Sequence, residues 1–285
     1  MTEFRKMTDA EYFALDGVYH SSYTTALLAS PARFAAGERE ESASMALGSY
    51  VHALMAGEAG KYSTGPDLSG VLTKDGKPAA NPAATAEGKA LIAEWWAANP
   101  GAVVMTAADM DRGQRCADNL RSAMAAKGWT PTYREMAAMW RGNVPSVAKF
   151  DAIIVLADRI IVVDYKSHGK PLSNKGLQAS FVDFGYHAQA AHYLDGVAAV
   201  QAAGLLPPLP VEFWIGWVST VQPFDAWFQR VSDEALVVGA ADLAVAQDRW
   251  MLGKATGKWP TAGELGLLDE VLALPKWKVA AQEVF

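Results

Sequence analysis

Two apolar runs, 152–156 (AIIVL) and 160–163 (IIVV), stand on either side of Ala157, Asp158 and Arg159. Runs that are apolar on both faces suit strands in the middle of a sheet covered on both sides. So short a connection between them makes an antiparallel hairpin. With a two-residue loop at 157–158, Leu156 pairs with Arg159, and counting back along the ladder sets Asp151 opposite Asp164. A loop at 158–159 shifts the pairing by one step yet keeps Asp151, Asp164 and Lys166 on one face. A three-residue loop puts them on opposite faces, because the side-chain period of a strand is two.

Directly opposed side chains have Cβ atoms about 4.5–5.5 Å apart. Two carboxylates at that distance, at the end of apolar strands, repel each other strongly. Either one is protonated or a cation sits between them. A hard divalent ion relieves the conflict, and Mg²⁺ characteristically takes one or two carboxylates plus waters and substrate phosphate. Lys166, two residues beyond Asp164, faces the same way. There it can orient or deprotonate a water and stabilise charge developing on a phosphate. For the hairpin alone, two solvated aspartates with Lys166 as their salt-bridge partner is an equally good account.

The chain has 285 residues, room for one large domain or two small ones and ample to bury a core. Residues 9–57 read as helices, with Ser21 and Ser22 as candidate N-caps, Pro31 as punctuation, and helical apolar spacing over 45–58. Residues 59–87 are rich in Gly, Pro, Ser, Thr and Asn, which predicts a long loop or mobile insert. Two more helices follow, over 88–100 and 108–128. From about Tyr133 the character becomes strand-like over 136–140, 147–156 and 159–167. A helical stretch runs from about Lys175 to 204, then strands over 210–220 and 225–231, an amphipathic helix over 233–253, and a tail with a loop and short helix. This order predicts a single α/β domain over 1–285: a mainly helical region to 130, a core of about five mixed strands flanked by helices over 131–260, and a tail over 261–285.

The formal charge of −6 argues against a protein that coats nucleic acid through a generally basic surface, but not against one local basic channel. Cys116 is the one cysteine, so no internal disulfide forms and a reducing cytoplasm is the expected compartment. There is no run of 18 apolar residues and no export signal, so no membrane association is expected. Phosphate-binding G-x-x-x-x-G-K-[ST], dinucleotide G-x-G-x-x-G, G-x-S-x-G and C-x-x-C patterns are all missing.

The segments VAKFDAIIV (147–155) and VVDYKS (162–167), followed by a helix carrying QAAHY (189–193), resemble the PD-(D/E)XK nuclease superfamily. Asp151 matches the first acid, Asp164 the second and Lys166 the lysine. Gln189 and Tyr193 match the Q-x-x-x-Y helix of the lambda-exonuclease, RecB and RecE-type branches. Upstream, ALGSYVHALM (46–55) resembles the segment that carries an extra histidine ligand, at His52 here. The segments SSYTTALLASPARF (21–34), GYHAQAAHYLDG (185–196) and TGKWP (256–260) resemble the exonuclease VIII (RecE-like) group of phages and prophages. Two departures occur: Lys149 and Phe150 precede Asp151 where R-P-D is usual, and Ser167 replaces the common threonine.

The resemblance implies a restriction-endonuclease-like core with a helical N-terminal region that closes over the site. It implies phosphodiester hydrolysis with Mg²⁺ or Mn²⁺ held by His52, Asp151, Asp164 and the Tyr165 carbonyl, and Lys166 positioning water. It implies the ends of linear double-stranded DNA as substrate, digested from 5′ ends to leave 3′ single strands. A RecT-like annealing partner and a ring-shaped homo-oligomer are implied too. A same-fold endonuclease and an inactive DNA-binding or assembly module are the alternatives. Read alone, His52 on an apolar helix is a packed core residue or a ligand that loses its metal on protonation near pH 6. Gln189 and Tyr193 share a helix face with Tyr186, as a buried polar seam or as a brace for the metal or the DNA. Glu135 is a further carboxylate, a second-metal ligand through water, or surface. Ser167, Lys170 and Lys175 bind phosphate or are solvated, while His168, His187 and His192 show no ligand spacing.

Overall fold

The hairpin closes through two residues: the Leu156 amide donates to the Arg159 carbonyl at 2.9 Å. The computed structural model describes residues 2–37 and 43–268; most of the expected tail, 269–285, lies outside the described residues. In chain order the elements are β1 (Glu3–Lys6), α1 (Asp9–Phe13), β2 (Tyr19–His20), α2 (Tyr23–Ala29), α3 (Pro31–Ala36) and α4 (Ala43–Ala56). Then come β3 (Tyr62–Ser63), α5 (Ala86–Ala98), β4 (Val103–Val104), α6 (Ala107–Ala126), β5 (Tyr133–Arg141), β6 (Pro145–Val155) and β7 (Ile160–His168). The chain continues through α7 (Asn174–Asp183), α8 (Tyr186–Ala202), β8 (Val211–Ser219), β9 (Ala226–Arg230) and α9 (Asp233–Thr256).

The central sheet is mixed and seven-stranded, in the order β1-β5-β6-β7-β8-β9, with β2 beside β6. Pairs β5–β6, β6–β7 and β8–β9 are antiparallel, whereas β7–β8 and β2–β6 are parallel. The expected five strands are β5 to β9. The two extra ones come from the N-terminal stretch that reads as helical, where runs of four and two residues are too short to display a period.

Helices cover both faces, which is why the central strands are apolar throughout. Under α8, packed against its Tyr193 and Val197, lie Phe150, Ile153, Ile160 and Val162. On the opposite face, Ala152, Ile154, Ile161 and Val163 pack with Val51 of α4 and Leu120 of α6. Burying each Ile or Val stabilises by about 1.5–3 kcal/mol relative to leaving it exposed.

Three local expectations change. The helical stretch from Lys175 is two helices, broken at Gly185, whose φ of 65° is left-handed. That φ strains any side chain, and a Cβ there would stand 2.5 Å from Thr25 Oγ1, which would have to shift, so glycine is favoured. Ser22 occupies the N-cap position of α2 without a side-chain cap, because its backbone is already helical. The 59–87 segment is tied down: Tyr62 and Ser63 pair with Val103 and Val104, and Val71 is buried.

Candidate active site

Residues two apart on a strand normally share a face. On β6, however, Phe150 and Ile153 lie in the same cluster under α8, and on β5 so do Tyr133 and Ala138. The alternation therefore slips at Asp151 and Glu135. The β5–β6 ladder runs from Arg134↔Ala152 to Met136↔Phe150 and skips the pair between them. Glu135 has a φ of 52°, a conformation that costs a non-glycine residue on the order of 1–3 kcal/mol. On the other edge, the β6–β7 ladder ends at Ala152↔Val163. Beyond that point the Tyr165 amide donates to Asp151 Oδ2 at 2.7 Å, while β2 takes the edge of β6 at Ser146 and Val147. Strands β6 and β7 part here, and the site fills the fork.

Asp151 Oδ1 is 3.2 Å from His52 Nδ1, which α4 brings down onto the fork. Asp164 Oδ1 accepts from Gln189 Nε2 at 3.1 Å, and the same amide reaches the Tyr193 hydroxyl at 3.2 Å. Asp164 Oδ2 is 2.7 Å from Lys166 Nζ. This contact is an ion pair, and the oxygen is buried with no other partner among the described residues. The Lys166 ammonium also stands 4.7 Å from the centre of the Tyr186 ring. Behind Asp151, Glu135 Oε2 contacts Lys149 Nζ at 2.6 Å, and Lys149 reaches Asp9 Oδ1 of α1 at 2.7 Å. Ser167 is exposed, its Oγ 3.0 Å from where a Cβ on Gly48 would stand.

Charge balance explains the titration of the cluster. Burial pushes the Asp164 carboxyl above the usual range; Lys166 offsets part of this and Asp151 adds to it. Asp151 moves the other way, because the His52 charge and hydrogen bond outweigh its own burial. Burial lowers His52, but Asp151 overcomes that and raises the imidazole to about 9. Lys166 is likewise raised despite its burial, principally by Asp164. At neutral pH His52 and Lys166 are both cations, and Lys166 is a donor, not a base. Glu135 is raised by burial and by Asp151, against the pull of Lys149.

The structure therefore gathers His52, Asp151, Asp164, Lys166, Gln189 and Tyr193 around one fork, with Glu135 and the Tyr165 backbone on its wall. Ser167 stands at the rim. Lys170 contributes its carbonyl, which accepts from His168 Nδ1 and Ser219 Oγ. Glu135 is not a free surface glutamate, since its side chain is largely buried against Lys149. Two contributors carry no motif: Tyr186, which underlies Lys166, and Asp9, which anchors Lys149. Tyr186 could have been found from its shared face with Gln189; Asp9 has no signal short of the fold.

Among the described residues, no three His, Cys, Asp or Glu side chains stand at the spacing of a metal's ligands. The donor chemistry nevertheless fits a divalent ion. Two buried carboxylates, one with an oxygen that has no partner but Lys166 among the described residues, stand beside an imidazole and the Tyr165 backbone. Such ions take oxygen and nitrogen ligands of this kind.

Comparison with protein families matches residues 19–251 to the PD-(D/E)XK nuclease superfamily. No curated protein matches the chain. Among solved structures, a protein from Eubacterium rectale described as a "putative exonuclease" superposes with a TM-score of 0.58 at 15% identity, covering 95% of this chain and 96% of that one. At that identity the likeness concerns the fold. No helix among the described residues is long and apolar enough to cross a membrane.

Proposed function

Since the chain belongs to the PD-(D/E)XK nuclease superfamily, whose members generally use divalent metal ions, we propose that it is a Mg²⁺- or Mn²⁺-dependent deoxyribonuclease reacting at Asp151, Asp164 and Lys166. The observation that carries this reading is the fork itself: two buried carboxylates on parting strands, with Lys166 Nζ 2.7 Å from one of them. Asp151, Asp164, His52 and the Tyr165 carbonyl would hold the ion. When bound, it supplies charge neutralisation at the scissile phosphate and acidifies water.

The other steps belong to the chain. Gln189, itself hydrogen-bonded to Tyr193, fixes one oxygen of Asp164 and leaves the second directed at the fork. Lys166, kept charged by its carboxylate partner, donates to the phosphate and stabilises the charge that grows there in the transition state. Water adds across the P–O bond, leaving a phosphate on one fragment and a hydroxyl on the other. Ser167 at the rim lies where the DNA backbone would pass, while Gln189 and the buried Tyr193 brace Asp164 from behind.

The finer reading follows the resemblance to the exonuclease VIII group. The enzyme digests linear double-stranded DNA from 5′ ends and leaves 3′ strands for phage-type recombination with a RecT-like annealing protein. It works in the cytoplasm as a ring-shaped homo-oligomer of single-domain subunits. Incubation of linear and covalently closed circular DNA, with and without Mg²⁺ or Mn²⁺, tests the reading. Metal-dependent loss of the linear form alone is expected. Cutting of the circle means a same-fold endonuclease. A gel shift without cleavage in either metal means a binding or assembly module and overturns the proposal.

A further inference from the structure

Phe184, between α7 and α8, is 63% exposed and lies outside the apolar clusters formed by the described residues. Its ring is not loose. The Phe184 amide donates to the Ser180 carbonyl at 3.1 Å, its own carbonyl accepts from Thr25 Oγ1 at 3.3 Å, and the next residue is the left-handed Gly185. The ring stacks on Tyr186, with centroids 5.6 Å apart and planes 28° from parallel. Tyr186 in turn carries the Lys166 ammonium at 4.7 Å and leans on Trp217 at 5.8 Å. A cation, a half-buried ring and an exposed ring thus follow one another outward from the centre of the fork.

An exposed aromatic ring held in a fixed backbone contributes little to packing and leaves apolar area in water. Its position suggests a use. Separations of 4.7 and 5.6 Å put the Phe184 ring at most about 10 Å from the Lys166 nitrogen. Nucleotides rise about 3.4 Å per step along one strand, so that reach spans roughly three of them. Bases inside a duplex are covered on both faces by their neighbours. A protein ring can stack only on a base that is unpaired, splayed out or at an end.

Resting on the nuclease reading above, we propose that Phe184 is a stacking platform for one nucleobase of the substrate, one to three nucleotides from the phosphate that Lys166 contacts. The substrate class this selects is DNA with an end or an opened terminal pair at the site, and the contact is indifferent to sequence because every base has a π face.

The test crosses protein variants with DNA variants. Wild type, Phe184→Ala and Phe184→Trp are assayed on linear duplexes that carry a single abasic residue at successive positions from the end. Phe184→Ala is expected to lower kcat/KM on intact DNA about tenfold, within the range of base–aromatic stacking, and Phe184→Trp to preserve it. At one position the abasic residue should cost wild type a similar factor and cost Phe184→Ala nothing further. Equal losses for Phe184→Ala on intact and abasic DNA at every position, or no loss at all, overturn the proposal. If wild type cuts no DNA, the nuclease reading fails separately. The same cycle is then read by fluorescence anisotropy of DNA binding in Ca²⁺, where coupling between Phe184 and one base supports the platform and its absence overturns it.

Discussion

His52 ties metal affinity to pH in a way that can be worked out from the site. Burial lowers the imidazole pKa, but the Asp151 carboxylate, 3.2 Å away, outweighs it and brings the group to about 9. An imidazole must lose its proton to bind a metal. At pH 7, two units below, only about 1% of it is neutral, so apparent metal affinity should be roughly 100-fold weaker at pH 7 than at its plateau near pH 9. It should climb about tenfold per pH unit between, with close to one proton released per ion bound. The unperturbed value of about 6.5 would instead give a plateau just above pH 7, so the window moves well above the pH 6 expected from the sequence. Titration calorimetry with Mg²⁺ or Ca²⁺ at pH 6 to 9, in buffers of different ionisation enthalpy, reads both quantities, and His52→Gln should flatten the curve. The linkage has an opposite sign for the metal-free fold. A histidine raised on folding stabilises fully below its unfolded pKa of about 6.5 and loses that contribution as pH rises through about 9. An affinity that is flat from pH 7 to 9, with no proton released, would refute the reasoning.

Two further outcomes follow from residues around the fork. Tyr186→Leu removes the ring 4.7 Å from Lys166 and should lower kcat about tenfold, in line with a partly desolvated cation–π contact. Metal affinity by calorimetry should stay unchanged, and Tyr186→Phe should restore most of the rate. His192 is fully buried, its Nε2 donates to the Val147 carbonyl at 2.9 Å, and Nδ1 has no partner among the described residues. Burial lowers its pKa to about 4, so the unfolded chain takes up its proton first as pH falls. Stability present above about pH 6.5 should be lost towards pH 4, by about 3 kcal/mol. Urea unfolding at both pH values reads the slope, and His192→Gln should reduce it.

The hairpin was legible because apolar runs on both faces and a short connection leave few registers. The loop at 157–158 and the pairing down to Ala152↔Val163 follow the counted register. What counting could not reveal is that the ladder stops one step before the aspartates meet. The slip at Asp151 depends on the matching slip of Glu135 on β5, and a left-handed glutamate has no sequence signature. Asp151 is consequently turned towards α4 as well as towards β7, which is how His52 reaches it. The motif helix was readable at Gln189 and Tyr193, whose spacing of four sets them on one face. The break at Gly185 was not, since a glycine inside a helical pattern can be tolerated, and it is the left-handed φ together with the nearness of Thr25 that calls for glycine here. Strands β1 and β2 are held by the sheet they join, not by their own pattern, so their residues gave no hint of it.

The most direct test of the central claim is cleavage of linear double-stranded DNA in Mg²⁺ by Asp164→Ala and Lys166→Ala, each verified as folded by circular dichroism and thermal melting. Both should retain the fold, because helices α4, α6 and α8 pack the sheet on both faces. Cleavage by each should fall by several orders of magnitude, on the order of 10³-fold or more as when a transition-state donor or metal ligand is removed. Folded variants that cut DNA at close to the wild-type rate would contradict the account.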